Sequence, residues 1–168
     1  RLAPGPVIGV TGTKGKTTTA TLLGLMLKAW KPATRIAGNM GLPALTLLNE
    51  IDVDTPVVLE LSSWQLEAMD EHGLSPHIAV ITNVSPDHLN TYESFDEYAE
   101  TKRRIAAHQS ATDSLVINAD DPELTRLLAS SAGQVVPFGR SVSGRAGMTV
   151  VGRDLLWRWE GREAAFTV

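Results

Sequence analysis

The sequence predicts an α/β fold: a mostly parallel β-sheet flanked by helices, with a small antiparallel β-meander at its C-terminal end. Three observations carry that expectation. Short β-rich runs alternate with helical stretches from the start of the chain to about Gly139, the order that builds parallel sheets with helices on their faces. A glycine-bearing loop, Thr11-Gly12-Thr13-Lys14-Gly15-Lys16-Thr17, joins the first of those runs to the first helical stretch. From Gly147 the pattern changes to short strands punctuated by Gly152-Arg153-Asp154 and Glu160-Gly161-Arg162, which are turn signals at hairpin spacing.

Taken in order, the predicted strands are Val7 to Thr11, Arg35 to Ala37, Val57 to Leu61, Ile78 to Asn83, Leu115 to Asn118 and Val135 to Phe138. Between them, Lys16 to Trp30 sets Leu22, Leu23, Met26, Leu27 and Trp30 at helical spacing, and Phe95 to His108 does the same with Phe95, Tyr98, Ala99 and Ile105, so both read as amphipathic helices. Pro43 suits the first turn of a short helix after Gly41, and Ser62 or Ser63 can cap another that runs through Leu66 and Met69. Pro122 opens a further helix, with Asn118-Ala119-Asp120-Asp121 supplying its cap. The meander is expected as Met148 to Val151, Leu155 to Trp159 and Ala164 to Val168.

These elements make one domain over residues 1–168, an α/β core at 1–140 and the meander at 146–168, with Ser141 to Gly147 as the one plausible linker. A chain of 168 residues buries roughly 70% of its unfolded surface and needs no disulfide or structural metal. It contains no cysteine and no apolar N-terminal segment of signal-peptide type, which favours a reducing, cytoplasmic setting. A net charge of -4 and a pI near 5.5 lack the basic footprint of nucleic-acid binders, and no apolar run approaches membrane-spanning length. The chain begins at Arg1 without methionine and stops at Val168 within a strand-like run, so it is expected to be a piece of a longer protein.

The loop is where the sequence speaks of chemistry. Strand, glycine loop and helix in that order let backbone N–H groups converge on phosphate oxygens, the helix N-terminus adds partial positive charge, Lys16 supplies a full one and Thr17 offers a hydroxyl to magnesium. The strict P-loop spacing would put its first glycine at position 10, which is Val10, while the Gly15-Lys16-Thr17 core survives. The expectation is a P-loop NTPase-like fold with a variant loop, specific for phosphate and not for any one nucleotide.

Ligands of such sheets lie outside the carboxyl ends of the strands, which makes the residues after each strand candidates. Glu60 ends the apolar run Val57-Val58-Leu59 and needs a cation or donor beside it if buried. A magnesium shared with Thr17 would serve, and so would an arginine or lysine partner. The segment Thr82-Asn83-Val84-Ser85-Pro86-Asp87-His88 sets Asp87 beside His88, where it could orient the ring as a metal ligand's partner does; a solvated histidine fits the same residues. His72, His77 and His108 have no such setting and read as surface. Lys102 shares a helix turn with Tyr98, Ala99 and Ile105, where a lysine ordinarily snorkels to water.

Several stretches together resemble the central domain of the Mur ligases, the ATP-dependent peptidoglycan-precursor ligases: the loop itself, Gly38-Asn39-Met40-Gly41-Leu42-Pro43, Leu59-Glu60-Leu61-Ser62-Ser63-Trp64-Gln65-Leu66, Asn83-Val84-Ser85-Pro86-Asp87-His88-Leu89, and Tyr98 through Lys102 to Ile105. Folylpolyglutamate synthase is a more distant relative with a similar loop. Within the family the resemblance is closest to members that join D-glutamate to UDP-N-acetylmuramoyl-L-alanine. It implies ATP bound by Gly12, Thr13, Lys14, Gly15, Lys16, Thr17 and Thr18, one magnesium on Thr17 and Glu60, and a second served by His88 and Lys102. It further implies that Lys102 is carbamylated, which turns a cation into an anionic oxygen donor, and that Asn39 and His88 meet the substrate with Ser62, Ser63, Gln65 and Asn83 as neighbours. Lys14 stands where relatives often carry asparagine. Since the family adds an N-terminal UDP-binding domain and a C-terminal domain, this chain alone is expected to have little ligase activity and to bind ATP weakly. The alternatives are another carboxylate-activating ligase of folylpolyglutamate type and a nucleotide-binding module without catalysis.

Overall fold

The structure is a computed structural model that describes residues 3–39, 41–87, 90–128, 130–143 and 146–167. Its sheet has the order β2-β3-β1-β4-β5-β6-β7-β8-β9. The first six strands are β1 (Val7–Thr11), β2 (Arg35–Gly38), β3 (Val57–Glu60), β4 (Ile78–Ile81), β5 (Ser114–Asn118) and β6 (Gln134–Phe138), all parallel. Then β7 (Gly147–Val151) joins β6 through the single parallel pair Phe138 and Met148. The antiparallel strands β8 (Asp154–Trp159) and β9 (Arg162–Thr167) complete the predicted meander at the sheet's edge.

Along β1 the side chains alternate between faces, as period-two geometry requires. Val7 packs with Leu59, Leu66, Ile81, Leu115 and Ile117 on one face, and Ile8 and Val10 pack with Ala20, Val58 and Val80 on the other. The first face is covered by α2 (Ser63–Glu71), α3 (Phe95–Arg103) and the short α4 (Pro122–Thr125); α1 (Lys16–Trp30) lies against the second. The chain leaves β1 for β3 and β2, then returns to the opposite side of β1 with β4. The loops after β1 and β3 lead to α1 and α2 on opposite faces and so diverge over a crevice at the carboxyl ends of the strands, the place where such sheets hold ligands.

Several predicted elements shift. The stripe on α1 is rotated from the one expected: Ala20 and Gly24 are buried and Leu23 and Leu27 half-buried, while Leu22, Met26 and Trp30 are 56%, 72% and 72% exposed. The small residues decide this, because a side chain at Gly24 would collide with Ile36 of β2, so the helix approaches the sheet along its Ala20–Gly24 edge. After Pro43 the short helix is a 3-10 segment, Ala44–Glu50, with Pro43 preceding it. Helix α3 ends at Arg103 and tightens into 3-10 geometry over Arg104–Ala106, beyond which the His108 N–H donates to Ser75 Oγ at 3.0 Å. Strand β4 stops at Ile81, two residues early, because Thr82 and Asn83 turn toward the glycine loop. Val168, predicted as the last strand residue, lies outside the described residues.

Two of the histidines read as surface have structural partners. His77 Nδ1 accepts from the Val7 N–H at 3.1 Å, and His108 pairs with Asp70 at 2.8 Å.

The caps follow the sequence closely. Ser62 and Gln65 form a capping box on α2, with the Ser62 hydroxyl accepting from the Gln65 N–H and the Gln65 side chain accepting from the Ser62 N–H. Asp121 caps α4 as expected, and its second carboxylate oxygen accepts from the Val84 N–H at 2.7 Å, which ties the segment after β4 to the core. Ser62→Ala removes an N-cap worth about 1 kcal/mol, so its urea midpoint should fall with an unchanged m-value. An unchanged midpoint would mean that the box contributes nothing.

Candidate active site

The glycine loop opens at Thr11, the last residue of β1, and closes into α1 at Lys16. Gly15 takes the position before the helix in the left-handed region, φ 82, a conformation that glycine adopts without a Cβ penalty. As the opening residues of α1, Lys16, Thr17 and Thr18 leave their N–H groups without intrahelical acceptors, and a helix N-terminus with such groups is suited to an anion. Lys16 folds over the loop, its Nζ donating to the carbonyls of Gly12 at 2.9 Å and Thr13 at 3.0 Å. Thr17 is exposed on the first turn. Positive charge and unpaired donors thus converge where the sequence placed them.

Register sets the next group beside the loop. Val10 of β1 pairs with Glu60 of β3, so Glu60 ends its strand alongside the start of the loop. It is 2% exposed. Its Oε1 accepts from Asn39 Nδ2 at 3.2 Å, while Oε2 has no hydrogen-bond partner among the described residues. The approach of Asn39 depends on Gly38, whose φ is +105 and where any Cβ would collide with the Glu60 backbone. No arginine or lysine forms an ion pair with Glu60 among the described residues. A buried carboxylate with one oxygen unpaired is costly, and a divalent cation of the hard, oxygen-seeking kind is the group it fits. No three His, Cys, Asp or Glu side chains converge among the described residues.

Lys102 does not snorkel. It is 2% exposed, with Nζ 5.0 Å from the centre of the Tyr98 ring. Burial, and secondarily the charge of Lys16, lowers its pKa from the usual 10.5 to about 8, against the opposing pull of Asp87 and Glu67. Tyr98 stacks obliquely with Tyr92, ring centres 5.3 Å apart, and the Tyr92 hydroxyl donates to Glu67 Oε1 at 3.0 Å. Ser63 is buried at the start of α2. Tyr92 and Glu67 are parts of this wall that the sequence reading did not single out; an aromatic in the polar run Asn90 to Ser94 is the only signal available.

The lysine has a pH signature whose sign can be worked out. Between about pH 8 and 10.5 the unfolded chain holds a proton on Lys102 that the folded chain has lost, so stability rises with pH across that window. Below it the full cost of burying the ammonium remains. Lys102→Met should therefore be the more stable protein at pH 7, with the gap closing toward pH 10 in urea titrations. A gap independent of pH would contradict the shift.

Of the other predicted residues, Asn39 reaches Glu60, Asn83 reaches the loop at Lys14, and Ser62 and Gln65 are engaged with each other in the capping box. Asp87, expected to orient His88, accepts from Lys14 Nζ at 3.0 Å. His88 itself lies outside the described residues.

The family model for the Mur ligase middle domain matches residues 10–151. The chain belongs to the Mur ligase family. Two curated relatives of this Mur ligase domain are UDP-N-acetylmuramoylalanine–D-glutamate ligases, one from Symbiobacterium thermophilum, 45% identical over 164 residues, and one from Roseiflexus sp., 45% identical over 166. These alignments take in 96% and 94% of this chain and 35% of each relative, so the chain spans about a third of their length. Among solved structures, MurF from Acinetobacter baumannii superposes with a TM-score of 0.71 at 22% identity, over 99% of this chain and 39% of that one. MurF ligase from Thermotoga maritima, solved in complex with ADP, gives 0.65 at 22% identity, over 97% and 40%. The Mur ligase fold is thus established here independently of sequence identity. No helix among the described residues is long and apolar enough to cross a membrane.

Proposed function

We propose that this chain is the central, ATP-binding domain of a cytoplasmic ligase that adds D-glutamate to UDP-N-acetylmuramoyl-L-alanine in peptidoglycan precursor synthesis. The observation that carries the reading is the juxtaposition at one strand end of a phosphate loop and a buried carboxylate with an unpaired oxygen. The 45% identity to ligases of that name supports the choice of acceptor.

In this reading the opening N–H groups of α1 and the ammonium of Lys16 bind the outer phosphates of ATP, and Thr17 and Glu60 hold the magnesium that accompanies them. A carbamylated Lys102 with His88 would hold a second. Bound there, the ions neutralise charge on the transferring phosphoryl group. An alanyl carboxylate oxygen attacks the γ-phosphorus, the bond to the β-phosphate oxygen breaks, and ADP leaves an acyl phosphate. The amine of D-glutamate then attacks the acyl carbon, loses a proton and expels phosphate. This chain's own part is alignment and charge: Lys16 withdraws from the Gly12 and Thr13 carbonyls to meet phosphate, and the low pKa of Lys102 leaves a share of its amine neutral and able to react with carbon dioxide. The family resemblance gives Asn39 and His88 to the acceptor substrate, with Ser62, Ser63, Gln65 and Asn83 as neighbours.

The UDP moiety and the D-glutamate amine are held by parts of the enzyme beyond this third of it. The test is ADP formation by the full-length parent. Sustained turnover should require both UDP-N-acetylmuramoyl-L-alanine and D-glutamate, and this chain alone should release no D-glutamate-dependent phosphate. Stimulation by a folate acceptor with L-glutamate, or nucleotide binding that no acceptor turns over, would replace this reading with one of the alternatives.

A further inference from the structure

The segment after β4 grips the phosphate loop. The Thr13 N–H donates to the Asn83 backbone carbonyl at 2.9 Å. The Asn83 carboxamide then closes on the next peptide from both sides, its Oδ1 accepting from the Lys14 N–H at 3.0 Å and its Nδ2 donating to the Lys14 carbonyl at 2.9 Å. Thr82 Oγ1 donates to the same carbonyl at 2.7 Å. Two residues beyond Asn83, the Ser85 carbonyl accepts from the Thr13 hydroxyl at 3.1 Å and the Ser85 N–H donates to that hydroxyl at 3.0 Å. The orientation of the Asn83 amide is dictated by this network, since the flipped amide would set N–H against N–H and oxygen against oxygen.

Gly12 shows how close the approach is. Its φ is +143, and a Cβ there would collide with Thr82 Oγ1 and sit 3.1 and 3.2 Å from the Asn83 backbone. That glycine is accounted for by the strap at its back as much as by any ligand at its front. The strap also sorts the loop's donors. With the N–H groups of Thr13 and Lys14 committed to Asn83, the donors left for phosphate are those from Gly15 into the first turn of α1.

We propose that Asn83 is a positioning residue for phosphate binding: its carboxamide, backed by Thr82, fixes the Lys14 peptide so that the donors from Gly15 to Thr18 face the phosphates before nucleotide arrives. The inference rests on the reading of this loop as a nucleotide site. It gives Asn83 a place behind the loop and a task different from the substrate contact that the family resemblance implies.

The test uses the full-length parent, Mg·ADP as the probe, and hydrogen exchange without nucleotide. Asn83→Ala should weaken Mg·ADP binding about 10-fold, the equivalent of ~1.4 kcal/mol, and should speed exchange at the Lys14 amide in the unliganded chain. Asn83→Asp keeps the acceptor for the Lys14 N–H but sets an anionic oxygen against the Lys14 carbonyl, and should bind more weakly than Asn83→Ala. Thr82→Ala, which leaves the carboxamide in place, should cost about 3-fold, and it keeps the test open should Asn83→Ala unfold. A residue that only met the acceptor substrate would leave both Mg·ADP affinity and Lys14 exchange unmoved, and that result overturns the proposal. If the unmodified full-length parent binds no Mg·ADP at any attainable concentration, the nucleotide reading fails and this inference falls with it. Normal nucleotide binding by Asn83→Ala sinks the inference alone.

Discussion

Lys16→Ala should lower affinity for Mg·ADP by about 100-fold or more and leave the fold standing. The Lys16 ammonium lies over the loop on two neutral carbonyls, those of Gly12 and Thr13, and places a full positive charge against that wall of the site. Hydrogen bonds from a charged donor are worth about 1.5–3 kcal/mol each, and ~2.7 kcal/mol is a 100-fold change in affinity. The cost to stability should be small, because the two carbonyls can take water in its place. A second readout separates lost charge from a damaged loop. Lys16 contributes to lowering the Lys102 pKa, so in Lys16→Ala the Lys102 amine should titrate higher than about 8. Lys16→Arg should not rescue binding, since a planar guanidinium cannot replace a compact ammonium in so tight a loop. Nucleotide affinity retained within a few-fold by Lys16→Ala would remove the central premise of the site.

Glu60→Gln should make the protein more stable and blind to magnesium. The wild-type side chain is 2% exposed, and one carboxylate oxygen has a single amide partner while the other has none among the described residues. Effective penalties for burying an uncompensated ion run to several kcal/mol. The glutamine keeps an acceptor for Asn39 Nδ2 and sheds the charge, so a gain of about 1–2 kcal/mol and a rise in melting temperature of roughly 3–6 °C are expected. Mg·ADP should raise the melting temperature of the wild type above the value with ADP and EDTA, and that increment should vanish in Glu60→Gln. If the variant melts lower than wild type, or if the magnesium increment persists, the carboxylate is not the ion's ligand.

Both expectations concern residues whose importance was legible at different depths. The loop from Thr11 to Thr17 could be read directly, because strand, glycines, lysine and helix are consecutive in sequence and local geometry forces their donors together. Glu60 could be picked out as an odd carboxylate at the end of an apolar run, in need of a cation such as magnesium or of a basic partner. Only the structure shows that Oε2 has no partner, and that no arginine or lysine pairs with Glu60, among the described residues. For Lys102 the sequence taken by itself pointed the wrong way. A lysine beside an apolar stripe usually reaches water, and here the Tyr98 ring and the packing of α3 on the sheet close over it. On α1 the larger apolar residues misled, since the close approach allowed by Gly24 brought the small ones inward.

By itself, then, the sequence determined the alternating α/β order, the parallel core with its terminal meander, the caps at Ser62 and Asp121, and the glycine loop between β1 and α1. Each of these depends on neighbours within a few residues, where periodicity and turn chemistry act. Tertiary structure alone decided that Asn83 clasps Lys14 from 69 residues away, that Asp87 pairs with Lys14 across 73, and that Glu60 ends beside Val10 with one oxygen unpaired among the described residues. Those facts follow from strand order and register, which bring together chain segments whose separation carries no periodic signal. What became of the donors at Thr13 and Lys14 was settled by the same return of the chain, when β4 was laid on the far side of β1.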